Sequence, residues 1–172
     1  MDHQFPDIPQ RIVTMSQEIQ HYFQDKNIDN PLIVGLYSDG VRIAKLLHQA
    51  LKLNEPLGEL NVNFYRDDFG QIGIHHQIKP SQLPTFGVDG RHILLVDDVL
   101  YTGRTIRAAM NEIFDYGRPA SIALAVLVSR TGRELPIEAQ FIGYDITTTS
   151  EQMIKLNKQD PLELIIRSVE KL

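Results

Sequence analysis

A chain of 172 residues with 42% hydrophobic content can bury the core of one compact domain. Its formal charge of −5 does not indicate a generally basic nucleic-acid binder, although a local basic patch is compatible with it. The absence of cysteine excludes disulfides and thiolate metal sites, no run is apolar enough to span a membrane, and Met1-Asp2-His3-Gln4-Phe5-Pro6 has neither the basic segment nor the apolar core of a signal peptide, so a cytoplasmic protein is expected.

Ile12, Met15, Ile19, Tyr22 and Phe23 recur at helical spacing, which predicts a packing helix over Ile8 to Asp25. Pro31-Leu32-Ile33-Val34-Gly35-Leu36 reads as a short apolar strand that leads into Tyr37-Ser38-Asp39-Gly40. Val41, Ala44, Leu47, His48 and Leu51 then mark a helix, giving strand, tight loop, helix. Asp39 reads equally well as a group facing a ligand and as a helix cap. Gly58 to Tyr65 is a predicted strand ending in Arg66-Asp67-Asp68, where Arg66 has an ion pair with the neighbouring acids as its plain alternative role. The polar, glycine-bearing segment that follows alternates around Ile72, Ile74 and His76 as a loose hairpin would. His75 and His76 would point to opposite faces of such a strand, so they read as solvated and not as metal ligands. Leu83 to Gly90 is a connector.

The chain is organised around His92 to Thr105. His92-Ile93-Leu94-Leu95-Val96 shows no polar alternation, as expected of a strand buried on both faces, and ends in Asp97 and Asp98. After Thr102-Gly103 the period becomes helical through Ile106, Ala109, Met110, Ile113 and Phe114, until Gly117 and Pro119 stop it. Gly103 lets backbone approach a ligand, and the N–H groups at the helix start favour an anion such as phosphate. Thr102 and Thr105 add hydroxyl donors. The two carboxylates would repel phosphate; sugar hydroxyls or a divalent metal suit them. Together these groups point to a phosphorylated sugar. An ordinary strand-ending acid and an ordinary cap at Thr105 would account for single residues but not for the group. The chain has no G-x-x-x-x-G-K-[ST] and no G-x-G-x-x-G after a strand, which removes the P-loop and dinucleotide readings.

Ala120 to Val128 is a further buried strand, followed on the same rim by Ser129-Arg130-Thr131-Gly132-Arg133-Glu134. Arg130 and Arg133 serve equally as ligand contacts or as structural partners. Gln140-Phe141-Ile142-Gly143 is a short strand, and Met153, Lys155 and Asn157 alternate with Ile154 and Leu156 as in an edge strand. Pro161 opens a predicted final amphipathic helix through Leu162, Ile165, Ile166 and Val169. The pattern predicts an α/β protein with an open, mostly parallel sheet flanked by helices.

Val96-Asp97-Asp98-Val99-Leu100-Tyr101-Thr102-Gly103-Arg104-Thr105 closely resembles the phosphoribosyl-pyrophosphate (PRPP) signature of type I phosphoribosyltransferases. The form D-D-V-L-Y-T-G-R-T resembles the PyrR type in particular, regulators of pyrimidine-operon attenuation that are also uracil phosphoribosyltransferases. Phe64-Tyr65-Arg66-Asp67-Asp68, Gly117 to Ile122, Leu124 to Val128 and Gly132 to Ile137 add matches in the same order, from about Leu32 to the C-terminus. The resemblance implies a single type I phosphoribosyltransferase domain over residues 1–172, with a flexible flap at about 66–80 and a small hood from about 129–157. It implies formation of UMP and pyrophosphate from uracil and PRPP with Mg²⁺. Asp97 and Asp98 would hold the ribose hydroxyls, directly or through the metal's waters, and with Arg66 are the catalytic candidates. Tyr101, Thr102, Gly103, Arg104 and Thr105 would hold the 5′-phosphate. Ser38, Asp39, Gly40 and Arg66 would face the leaving pyrophosphate, and Arg130 would lie near the uracil. Purine enzymes of this superfamily often carry a carboxylate where Tyr101 stands, so Tyr101 agrees with uracil.

The chain also departs from the PyrR type. Tyr37-Ser38-Asp39-Gly40 stands where Lys-Thr-Arg-Gly is usual, Ser129 and Thr131-Gly132 replace Asp and Gly-His, and Glu138, Tyr144 and Thr147 replace Arg, Lys and Pro. A carboxylate at Asp39 faces pyrophosphate repulsively unless Mg²⁺ bridges them. The lost basic residues weigh against tight binding of pyrimidine-operon leader RNA. The competing expectation is a UMP- or PRPP-sensing regulator with weak or no catalysis, acting through RNA or a protein partner. The resemblance also implies a homodimer or homotetramer.

Overall fold

The computed structural model describes residues 7–62, 81–83, 87–149, 151–157 and 161–168. Its elements in chain order are α1 (Ile8–Asp25), β1 (Leu32–Leu36), α2 (Asp39–Leu51), β2 (Gly58–Leu60), β3 (His92–Leu100), α3 (Arg104–Tyr116), β4 (Ser121–Arg130), β5 (Phe141–Ile146), β6 (Gln152–Leu156) and β7 (Leu164–Ser168). Strands β2-β1-β3-β4-β5 form one parallel sheet in that order, and β6 and β7 pair as a separate antiparallel sheet. The continuous apolar runs of the central strands need cover on both faces, and they have it. Ile33, Leu94, Val96, Ala125 and Leu127 pack against α1 and α2 through Ile12, Met15, Ile19, Ile43 and Leu47. The alternate residues Val34, Ile93, Leu95, Leu124 and Val126 pack against α3 through Ile106, Ala109 and Ile113. Gly35 sets the depth of one contact, because a Cβ there would lie 2.8 Å from both the Ala44 Cβ and the Val41 Cα. Helix α2 therefore lies directly on β1. None of the helices among the described residues is long and apolar enough to cross a membrane.

The helices α1, α2 and α3 and the strand pattern agree with the sequence reading, and the differences are local. Strand β3 does not end at its acids: Asp97 pairs with Val126, Val99 with Val128 and Leu100 with Ser129, because β4 runs alongside as far as Arg130. Strand β2 covers Gly58–Leu60, and Glu59 exchanges two backbone hydrogen bonds with Gln82, at 2.8 and 2.6 Å, just ahead of the connector expected from Leu83. Strand β5 extends past Gly143 to Ile146. The predicted C-terminal helix is instead β7. Its Leu164-Ile165-Ile166 run is β-favouring, and pairing sets Ile166 opposite Ile154 and Leu164 opposite Leu156. A helical stripe and a strand face are hard to separate over so few residues. The flap expected at 66–80, with Arg66 and the loose hairpin, lies outside the described residues, as does Val169.

Candidate functional site

From β1 the chain passes through α2 outward to β2, whereas from β3 it passes through α3 to β4 on the other side. The order reverses between β1 and β3, and open parallel sheets bind ligands in the crevice at the carboxyl ends of such a pair. The loops after β1 and β3 meet there. A Cβ on Gly40 would lie 2.9 Å from the Asp97 Cα, the Asp97 Oδ1 and the Val96 carbonyl oxygen. Only glycine lets the first turn of α2 rest on the acid-bearing strand. Asp97 and Asp98 are each 6% exposed, and the Asp98 N–H donates to Asp97 Oδ1 at 2.9 Å.

The donor set of the acid pair fits Mg²⁺ in one particular way. Carboxylate oxygens are hard ligands, but among the described residues no cluster of three or more His, Asp or Glu could hold an ion by itself. Two carboxylates leave the remaining positions to water and substrate oxygens, which is how Mg²⁺ is commonly bound beside phosphates.

The loop after β3 is built from backbone. Gly103 (φ +92°) turns the chain into α3 and serves as its N-cap without a side-chain cap. The Arg104 N–H donates to Thr102 Oγ1 at 3.2 Å, and the other N–H groups of the first turn are those an anion takes at a helix start. Buried Thr102 presents its carbonyl to the N–H groups of Glu134 and Leu135, at 3.0 and 3.1 Å. Half-buried Thr105 is in the same first turn. The Arg104 side chain is engaged on the surface, with Nε and Nη2 donating to Glu134 Oε2 at 2.8 and 2.6 Å.

Tyr101 is gripped by the segment after β4. The Arg130 guanidinium stands 3.9 Å from the Tyr101 ring centre, and a Cβ on Gly132 (φ +112°) would lie 2.3 Å from that ring. Arg133 donates to the Tyr101 carbonyl and to Ser129 Oγ. Burial pulls the Arg133 guanidinium below its ordinary pKa, against the opposing pull of the Glu138 and Asp145 charges. Arg130 also donates to the carbonyls of Gln152, at 2.7 Å, and Thr149, at 3.1 Å. These contacts make Arg130 and Arg133 struts between the phosphate-type loop and the β5–β6 connection; their partners are carbonyls more than acids.

The loop after β1 is built from side chains. Tyr37 donates its hydroxyl to the Glu59 carboxylate, and Lys45 Nζ lies 3.2 Å from the other Glu59 oxygen. That hydrogen bond, then burial, then the Glu59 charge push the Tyr37 pKa up to about 12. The Tyr37–Ser38 peptide is cis, and Ser38 is the N-cap of α2 without a side-chain cap. Asp39 is the first residue of α2, so it is not the cap, and it pairs with Arg42 Nη1 at 3.4 Å. Arg42 Nη1 also donates to the Asn157 carbonyl at 2.6 Å.

Ser38, Asp39, Gly40, Asp97, Asp98 and Tyr101 to Thr105 thus converge on one rim, with Arg130 behind Tyr101. Sequence reasoning missed Arg42, Lys45, Glu59 and the packing role of Gly132. The Asp39–Arg42 spacing of three on a helix was a readable signal. Glu59 was not readable, since its neighbour Tyr37 comes from the loop after a different strand.

A phosphoribosyl transferase domain model matches residues 4–158. The bifunctional protein PyrR of Nitrosococcus oceani is 53% identical over 149 residues, covering 86% of this chain and 82% of that one. The bifunctional protein PyrR of Pseudomonas fluorescens is 43% identical over 164 residues, covering 95% and 97%. Among solved structures, the hypoxanthine phosphoribosyl transferase of Trypanosoma cruzi superposes with a TM-score of 0.66 at 21% identity, covering 86% of this chain and 77% of that one. A hypoxanthine-guanine phosphoribosyltransferase of Bacillus anthracis gives 0.67 at 14% identity, covering 86% and 82%. At those identities the two structures speak for a shared fold alone.

Proposed function

Because the chain belongs to the PyrR family of phosphoribosyltransferases, we propose that it is a uracil phosphoribosyltransferase whose crevice between β1 and β3 binds PRPP. It joins uracil to the ribose, gives UMP and pyrophosphate, and has a role in regulating pyrimidine biosynthesis. The observation that carries this reading is the buried pair Asp97–Asp98 beside a glycine-turned helix start, with Gly40 packed against it. Few ligands other than a phosphorylated sugar need carboxylates and an anion site in that order.

The N-terminal turn of α3, with Thr102 and Thr105, binds the 5′-phosphate. Asp97 and Asp98 accept from the ribose hydroxyls and orient the sugar. When Mg²⁺ is bound through the acid pair or its waters, it neutralises charge on the diphosphate. Uracil N1 gives up its proton, which passes to the departing pyrophosphate or to water, and forms the bond to C1′ as the C1′–O bond to pyrophosphate breaks. The positive charge that develops on the ring lies near the two carboxylates, whose fixed negative charge lowers its energy. Pyrophosphate leaves toward Tyr37–Gly40 and Arg66, which the sequence resemblance alone places there. Tyr101, clamped by Arg130 and Gly132, fixes the wall between the phosphate loop and the base site.

Regulation through leader RNA has less to work with on this surface. Glu138 and Tyr144 stand where the PyrR type usually has Arg and Lys, and the Glu138 and Asp145 charges offset part of the effect of burial on Arg133. Binding to a pyrimidine-leader hairpin is expected to be weak and salt-sensitive. The deciding experiment incubates the folded protein with radiolabelled uracil, PRPP and Mg²⁺. UMP is the expected product, and no UMP above background overturns the proposal.

A further inference from the structure

We propose that Arg42 supplies the pyrophosphate-facing cation that the loop after β1 lacks; the inference rests on the phosphoribosyltransferase reading and deepens it. The loop carries Tyr37 and Asp39 at the positions where Lys and Arg are usual in the PyrR type. Its one charge is therefore negative, at the place where a diphosphate is to leave. Arg42 is one turn into α2, on the same side as Asp39, and its Nη1 lies 3.4 Å from Asp39 Oδ1. The same nitrogen donates to the Asn157 carbonyl at 2.6 Å. That carbonyl is itself well fixed. The Asn157 N–H donates to the Glu163 carbonyl at 2.9 Å, the Asn157 side chain donates to the Pro161 carbonyl at 2.9 Å, and the Glu163 N–H donates to the side chain at 3.1 Å.

Both contacts of Arg42 use Nη1. Among the described residues its Nε and Nη2 have no partner, and the side chain is 31% exposed. A guanidinium carries five N–H donors in a rigid fork suited to phosphate oxygens, so one edge is braced and the other is left to a ligand. A charge carried on the loop in the family is here carried on the first turn of the following helix. Because its brace is the β6–β7 connection, the cation is also tied to the second sheet.

The test is the affinity of inorganic pyrophosphate, and of PRPP, with Mg²⁺ by calorimetry, beside steady-state KM values for PRPP and uracil. Arg42→Ala should weaken pyrophosphate and PRPP roughly tenfold and leave the KM for uracil unchanged, and Arg42→Lys should recover part of the loss. Asp39→Arg combined with Arg42→Ala returns the cation to the loop and should recover most of it. Asp39→Asn alone, with Arg42 still braced by Asn157, should tighten PRPP roughly threefold. A mere strut to the second sheet would raise the KM for uracil and would not be rescued by the exchange. The proposal falls if Arg42→Ala spares pyrophosphate, if the folded exchange variant stays weak, or if Asp39→Asn weakens PRPP. The last readout serves even where Arg42→Ala does not fold. Wild-type protein that binds pyrophosphate through Arg42 but makes no UMP removes the enzyme reading and keeps this one. Turnover with an unaffected Arg42→Ala removes this one alone. Wild-type protein that binds neither ligand removes both.

Discussion

The loops after β3 and β1 share one crevice but are made of different material. After β3 the shape comes from main chain: Gly103 turns into α3, the Thr102 carbonyl takes two N–H groups, and the Tyr101 carbonyl takes Arg133. The one cation in that loop, Arg104, is paired outward with Glu134. After β1 the shape comes from side chains, Tyr37 and Lys45 both on Glu59, and Asp39 on Arg42. A loop that binds an anion with backbone N–H groups depends on glycines and on a helix start, so its residue pattern is rigidly prescribed. A loop that binds with side-chain charge can move that charge to any neighbour within reach. On the proposal made for Arg42, its motif then changes while one cation stays within reach of the site.

The largest effect is expected on the backbone-built side. Asp97→Asn with Asp98→Asn keeps the shape of both buried side chains and removes their charge. UMP formation should fall at least about a hundredfold in kcat/KM, the scale of losing electrostatic stabilisation at a reacting centre. The melting temperature, read in parallel, should change little, since two adjacent buried carboxylates do not favour one another. A double variant within tenfold of wild type would place the sugar site elsewhere.

The same contrast decides what could be read from the sequence. Strand β3, its acids and the helix after Gly103 were legible because burial on two faces, a glycine turn and a helical stripe each leave a local pattern in the residues. Helix α1 was legible over Ile8–Asp25 for the same reason. The resemblance to PyrR added the ligand. The Arg42 brace and the Glu59 contact were not legible, because each joins segments far apart in the chain. Strand β7 was misread because five residues fit either period, and pairing with β6 settles the choice. The continuation of β3 through Asp97 and Asp98 depends on the length of its neighbour β4, which the residues of β3 do not encode.

A smaller effect is expected where the two loops touch. Gly40→Ala puts a Cβ 2.9 Å from the Asp97 Cα and the Val96 carbonyl oxygen, atoms of a central strand that cannot yield. The first turn of α2 must lift off β3. Overpacking of this kind costs about 1–3 kcal/mol, which a denaturant titration would read. The displaced turn should also raise the KM for PRPP roughly tenfold, with less effect on uracil. An unchanged KM with lowered stability would mean that the two loops need not be in register for PRPP to bind.

The smallest effect tests the side-chain-built loop at its outer edge. Tyr37→Phe removes only the hydroxyl that donates to Glu59, leaving the Tyr37 N–H on the Leu60 carbonyl at 2.9 Å. PRPP binding should weaken by a factor of about three or less, because a partly exposed hydrogen bond contributes little net free energy. The pH dependence is more specific. The Glu59 carboxylate holds the Tyr37 phenol protonated and raises its pKa from 10.0 in the unfolded chain to about 12 in the folded one. The stabilisation is therefore complete below pH 10 and is lost as pH rises from 10 to 12. Spectrophotometric titration should show one phenolate forming near pH 12 that Tyr37→Phe lacks. The stability difference between wild type and variant should shrink over the same interval. If all phenols ionised together near their ordinary pKa, the Tyr37–Glu59 contact would not be holding the loop after β1, and the division between a backbone-built and a side-chain-built loop would lose its outer support.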